Sequence, residues 1–402
     1  MPIIATQRPR LTGCTWDRIL DPSMRRLLVI LTAAVLIACT DGGFPPLLSE
    51  VTITDLGTLG GAHSEPEAVN DLGQVVGMGF TAGDSFSHAF LWQNGAMTGL
   101  GTLGGTYSRA MAINAIGQVV GLSTVLGDTT HGFLWQNGTM TDLGTLGGAF
   151  STAVAVNDLG QVAGVSRTSG DTATHGFLWE SNAMTDLGTL GGAYSYVAAI
   201  NSLGQIVGSS GTDSAQEHAY RWQNGTMTDL GTLGGTYSYA TAINDQGQVA
   251  GASTMSGDST RHGFLWQNGT MTDLGTLGGS HSEAVAVNTL GQAVGWSYTI
   301  GNGGGHAFIW RNGSMTDLGT LGGTYSIAVT INDLGQVVGV SYTASHDLHA
   351  FLWHSGTMTD LGTLGGTIGQ PVAMNNRGQV VGISYTAGDS TFHAVLWDTR
   401  LP

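Results

Sequence analysis

The apolar residues of this chain fall into two regimes. Between Leu27 and Ala38 they form one nearly unbroken run, whereas from Val51 to Trp397 they come in short bursts separated by Gly, Asn and Asp. No stretch of the second regime carries a helical period. Gly225 to Leu233, Ser238 to Asn244, Gln248 to Ser253 and His262 to Trp266 are four successive strand signals with turn chemistry between them. Asn157 to Gln161, reading Asn-Asp-Leu-Gly-Gln, predicts a tight hairpin, and Asn137-Gly138 is the preferred pair of a type I′ turn. Asn137-Gly-Thr also matches a glycosylation sequon, but its recurrence at a hairpin position favours the turn reading.

The pattern repeats. Leu-Gly-Thr-Leu-Gly-Gly begins at Leu56, Leu100, Leu143, Leu187, Leu230, Leu274, Leu318 and Leu361, always 43 or 44 residues apart. A second anchor, His followed by a small residue, an apolar pair and Trp, begins at His88, His131, His175, His218, His262, His306, His349 and His393, with Arg221 taking one apolar place. Four strands per period in the forties predict an all-β fold, an eight-bladed β-propeller of four-stranded antiparallel blades. The repeat opens with a Thr-Asp-Leu-Gly strand, Val51 to Leu59, and ends with the His-led strand, His393 to Trp397, so each end holds the piece the other lacks. The N-terminal strand is therefore expected to complete the last blade and leave no sheet edge unpaired. This phase puts Ala153, Ala155, Ala240 and Ala242 on the innermost strands and third-strand aromatics such as Phe133 and Trp135 between blades. A β-solenoid with coils of the same length is the rival architecture; local hairpins oppose it, because solenoid coils stack in parallel.

The apolar run at the start follows Arg25 and Arg26, is too short to span a bilayer, and ends Leu36-Ile37-Ala38-Cys39. It resembles a bacterial lipoprotein signal, which implies cleavage before Cys39 and lipidation of that residue. Met24 stands directly before the two arginines and is the expected true start. The chain then divides into a leader and signal at 1–38, a tether at 39–50, the repeats at 51–398 and a tail at 399–402. The only other cysteine, Cys14, falls in the leader, so no disulfide supports the repeats. There is no lysine, five of the twelve arginines precede the repeats, and the net charge is −16, which argues against nucleic acid as a partner. A monomer, attached to a membrane only through its lipid, is expected.

The whole pattern, with His-Ala-Phe at 88–90, 306–308 and 349–351, resembles the HAF-repeat family of extracellular bacterial repeat proteins over Val51 to Trp397. The resemblance implies location and architecture, and carries no catalytic residues.

The eight strand-leading histidines invite a metal reading, but equivalent residues of a ring are dispersed around it, so structural hydrogen bonds to the preceding loop or the adjacent blade are expected. Asp84, Asp128, Asp171, Asp258 and Asp389 each place one carboxylate in a loop; calcium is conceivable there, a loop staple the better reading, and no other cofactor is implied. One face differs from blade to blade. After Gly-Gly-x come His63, Tyr107, Phe150, Tyr194, Tyr237, His281, Tyr325 and Ile368, and two positions on come Glu65, Arg109, Thr152, Tyr196, Tyr239, Glu283, Ile327 and Gln370. Candidate ligand-binding residues are His63, Glu65, Tyr107, Arg109, Tyr194, Tyr196, Tyr237, Tyr239, His281, Glu283, Tyr325 and Gln370. Aromatics beside carboxylates and an amide suit sugar rings and their hydroxyls. The expected function is a non-catalytic, exported, lipid-anchored module that binds an extracellular glycan or protein, or serves as a scaffold. The alternative is a hydrolase or lyase working in the central channel, which Glu65, Glu67, Arg109 and Glu283 would favour if they met in one cavity.

Overall fold

The computed structural model describes residues 51–399. Cys39, Met24, the signal run and the tether lie outside the described residues. The described chain is all-β, and its thirty-two strands fall into antiparallel sets of four. In the first unit these are Gly60–Val69, Val75–Thr81, Ser87–Gln93 and Ala96–Gly101. The last unit takes Gly365–Met374, Gln379–Thr386 and Phe392–Asp398 from the C-terminal end and Thr52–Asp55 from the other. Thr52 lies opposite Asp398 and Asp55 opposite Val395, so the two ends of the repeat region pair as the phase of the repeat predicts.

Turn chemistry sets the local structure. Asn137 and Gly138 both have positive φ, 52° and 85°, as a type I′ turn requires. At Asn157 the backbone N–H donates to Gln161 O (3.1 Å) and the side chain accepts from Gln161 N (3.0 Å), which closes the other hairpin. The strand expected over Gly225 to Leu233 stops at Asp229, because the Asp229 carboxylate accepts from Gly231 N (2.7 Å) and turns the chain. The inner strand then starts at Gly234 rather than Ser238 and carries a bulge between Ala240 and Ala242.

Apolar packing lies between units rather than within them. Phe133, Val119 and Ala110 of the second unit are buried against Val76, Ala89, Leu91 and Leu100 of the first, with Trp135 packed beside them. Ala153 and Ala240 are buried on their inner strands as expected. The same packing joins the ends of the chain: Leu56, Val381, Ala394 and Leu396 are buried with Val75 and Phe90 of the first unit.

Two polar devices join each unit to the next. A buried Ser on the inner strand, such as Ser151, donates to Gly144 O (2.6 Å) and accepts from Gly132 N (2.8 Å). The equivalent Ser64 accepts from Ala394 N, 2.9 Å away across the chain termini. Gly369 replaces this Ser in the last unit, and there Trp397 Nε1 donates to Gly362 O instead. The second device is the Asn ending each inner strand. Asn70 Nδ2 donates to Asn114 O, Asn114 to Asn157 O, and so on through Asn201, Asn244, Asn288 and Asn332 to Asn375, which donates back to Asn70 O at 2.9 Å. Single parallel pairings such as Phe150 with Thr130 add backbone contact between neighbouring units. Thr399, assigned to the tail from the sequence, is instead buried with its hydroxyl on Gly378 O (2.6 Å).

Candidate functional site

The inner strand of each unit has two unlike ends. At its C-terminal end the Asn cycle surrounds a cavity of about 460 Å³ to which all eight units contribute. The residue after each Asn alternates: Asp71, Asp158, Asp245 and Asp333 are separated by Ala115, Ser202, Thr289 and Asn376. Each carboxylate accepts the backbone N–H of the residue before it in the ring, as Asp158 does from Ala115 and Asp71 from Asn376. This end is a hydrogen-bonded collar, and the Asn-Asp alternation that announces it is legible in the sequence.

The candidate binding residues occupy the opposite end, at or near the start of the inner strands. Tyr194 and Tyr196 lie 5.4 Å apart, and the Tyr194 hydroxyl donates to Glu217 (3.0 Å). Burial, and then the Glu217 carboxylate, push the Tyr194 phenol up to about 12. Tyr237 and Tyr239 lie 5.5 Å apart, with the Arg261 guanidinium 5.8 Å from the Tyr239 ring. Burial first, and the neighbouring Glu283 second, raise the Tyr239 phenol well above its ordinary value. His281 bonds Ser280 through Nδ1 (2.7 Å) and meets Tyr298 edge-on, while Tyr325 tilts against Tyr342. His63 stacks on Phe392 of the last unit at 4.4 Å. Tyr107 donates its backbone N–H to the Thr124 hydroxyl (3.0 Å), and Gln370 is half-buried opposite Ile383.

The four non-repeated charges do not form one constellation. Arg109 bonds Glu67 and sits 3.4 Å from Glu65, whereas Glu283 pairs with Arg261 at 3.2 Å. None of the four lines the cavity beside Tyr196. That cavity, about 390 Å³, lies between the third and fourth units and is lined by Phe150, Tyr196, Arg167, Asp171 and Thr174. Tyr196 is 47% exposed. Among the described residues the Arg167 guanidinium has no hydrogen-bond or ion-pair partner. Arg167 was not among the sequence candidates, yet its column varies just as theirs does: Phe80, Thr124, Arg167, Gly211, Thr254, Tyr298, Tyr342 and Tyr385.

The histidines are structural, with a partner other than the expected ones. In seven units Nδ1 bonds the Asp of the next strand in the same sheet, as His131 does with Asp142 and His175 with Asp186, both at 2.9 Å. His393 finds its Asp at the far end of the chain, on Asp55 (2.8 Å). His88 has none, because Gly99 stands in that place. Four of the five loop aspartates are staples: Asp84 accepts from Ala62 N, Asp171 from Ala149 N, Asp258 from Thr236 N and Asp389 from Thr367 N, each at 2.8 Å, whereas in the unit of Asp128 the corresponding Thr106 N donates to the Thr124 hydroxyl instead. Among the described residues no three His, Cys, Asp or Glu side chains converge on a metal position.

This assembly of antiparallel four-stranded sheets, packed face on face, belongs to the β-propeller class. Among solved structures the chain is similar to the Dos1 propeller, at 9% identity over 87% of this chain and 95% of that one, TM-score 0.50. It is also similar to dipeptidyl peptidase 4 of Porphyromonas gingivalis, at 12% identity over 82% of this chain and 56% of that one, TM-score 0.50. The β-propeller domain of the Trilobed protease from Pyrococcus furiosus aligns over 79% and 97% at 10% identity, TM-score 0.48. At such identities the likeness concerns the fold alone. No family model matches the chain, and no curated protein does.

Proposed function

We propose that this chain is an exported, lipid-anchored propeller of eight blades, closed by its N-terminal strand, that binds an extracellular glycan through the variable end of its inner strands. Closure is supported by the Asn cycle returning from Asn375 to Asn70 and by the pairing of Thr52–Asp55 with the last unit. Export and anchoring rest on the basic-apolar run before Cys39 and on the resemblance to HAF-repeat proteins.

The observation that carries the binding reading is the cavity beside Tyr196. An exposed aromatic face, an unpaired guanidinium and a loop carboxylate meet there once, on a framework that otherwise repeats. Positions under purely structural demand are alike in every unit, since each unit meets the same neighbours. Glu65 and Glu67 share Arg109, and Glu283 pairs with Arg261, so these carboxylates are held in ion pairs, which favours a binding role over acid–base chemistry.

A glycan array probed with the wild-type chain and with Tyr196→Ala/Arg167→Ala tests the reading. Loss of a stacking aromatic and a charged donor is expected to weaken a retained glycan at least tenfold, with the melting temperature unchanged. Unchanged retention by the double variant refutes the site, and a wild-type chain that retains no glycan is better read as a scaffold.

A further inference from the structure

The sixth unit breaks a hydrogen-bond ladder that the first five keep. In those five the Gln that follows the Asn hairpin accepts at Oε1 from its Asn and donates from Nε2 to an oxygen at the end of the third strand. The pairs are Gln74 to Gln93 (2.8 Å), Gln118 to Gln136 (3.2 Å), Gln161 to Glu180 (2.7 Å), Gln205 to Gln223 (3.0 Å) and Gln248 to Gln267 (3.2 Å). In the sixth unit Gln292 Oε1 still accepts from Asn288 (2.8 Å), which fixes the amide with Nε2 as its free end. The residue that should accept is Arg311, which has donors only. Among the described residues neither the Arg311 guanidinium nor Gln292 Nε2 has a partner. Two donor groups thus meet where every earlier unit has a donor and an acceptor.

Both line a cleft of about 600 Å³ between the fifth and sixth units, together with Thr270, Thr272, Trp310 and Asn312. We propose that this cleft binds a carboxylated sugar. A guanidinium fork matches a carboxylate in two parallel hydrogen bonds, and the amide N–H of Gln292 supplies a further donor. The Thr hydroxyls and the Asn312 amide suit ring hydroxyls, Trp310 offers an indole flank, and the volume accommodates about a disaccharide. In a chain of net charge −16, the cationic Arg311 favours an anionic ligand over a neutral one in this cleft. The cleft lies at the Asn-hairpin end of the units, opposite Tyr196, so it is a second site, independent of the one proposed above.

Calorimetric titration of the full chain with a glucuronic-acid-containing disaccharide and with its neutral glucose counterpart tests the assignment. The acidic sugar is expected to bind at least tenfold more tightly than the neutral one. Arg311→Gln restores the acceptor of the first five units, so it should keep the melting temperature and abolish that preference. Tyr196→Ala should leave it unchanged. The proposal is overturned if the wild type binds neither sugar or both alike, if Arg311→Gln retains the preference, or if a glutamate-rich peptide binds more tightly than the acidic sugar.

Discussion

Leu56 and Leu143 offer a matched test of how the ends of the chain are held. Both sit in the link between an outer strand and the next inner strand, and both are nearly inaccessible, at 4% and 6% exposure. Leu56 N donates to Ala394 O (2.9 Å) as Leu143 N donates to Gly132 O (3.0 Å). Leu143 packs among Val120, Ala153, Val162, Phe177 and Trp179, all close in sequence. Leu56 packs among Val75 and Phe90 on one side and Val381, Ala394 and Leu396 on the other, which the chain reaches only after seven further units. Truncating a buried Leu to Ala removes its transfer free energy and leaves a cavity, costing about 2–5 kcal/mol. If the N-terminal strand is part of the cooperative structure, Leu56→Ala and Leu143→Ala should both fall in that range and agree within about 1 kcal/mol. If the strand frays independently, Leu56 is already partly released before global unfolding, and its truncation should cost about 0.5 kcal/mol or less. Urea unfolding followed by tryptophan fluorescence reads the difference as a shift in midpoint at constant slope. A Leu56→Ala variant indistinguishable from wild type, beside a Leu143→Ala variant that loses several kcal/mol, would refute closure by strand exchange.

Other outcomes follow from single sites. Ser151→Ala strands the buried N–H of Gly132 and the carbonyl of Gly144, and should cost about 1–3 kcal/mol in the same urea assay. Tyr220 stands where six other units carry Phe, its hydroxyl buried without a partner and its phenol raised by burial, so Tyr220→Phe should raise the unfolding midpoint rather than lower it. Burial pulls the Asp273 carboxyl upward, but His262 and the Gly275 N–H together hold it below its ordinary value. A depressed carboxylate stabilises the fold above its unfolded pKa near ~3.9, and that contribution disappears as pH falls through the lower folded value. Asp273→Asn should therefore lower the melting temperature at neutral pH and flatten its decline below about pH 4. Cys39→Ser should shift the protein from the detergent phase to the aqueous phase on partitioning, and a variant that still partitions like wild type would remove the lipid anchor from the account.

What the sequence reveals is what short-range chemistry determines. Asn137-Gly138 forms its turn because two adjacent residues tolerate positive φ, and the order of strands follows because hairpins pair neighbours. The pairing of Thr52–Asp55 with Phe392–Asp398 was legible for a different reason: a repeat cut out of phase leaves one strand at each end, and only mutual pairing covers both. Strand ends were misread where a side chain overrules the backbone pattern, as at Asp229, whose carboxylate takes the Gly231 N–H and ends a strand that apolar spacing would continue to Leu233. The histidine partners were missed because His175 and Asp186 are brought together by cross-strand register, not by the loop or the neighbouring unit. Reading one column at a time likewise picks Tyr196 and passes over Arg167, although the two share a cavity. That cavity takes Phe150 and Arg167 from one unit and Tyr196 from the next, so no single column of the repeat contains it. The variable positions therefore have to be compared in pairs across neighbouring units, and the same comparison exposes Arg311, which is unremarked as an isolated substitution and becomes informative only against the Gln292 donor it fails to satisfy.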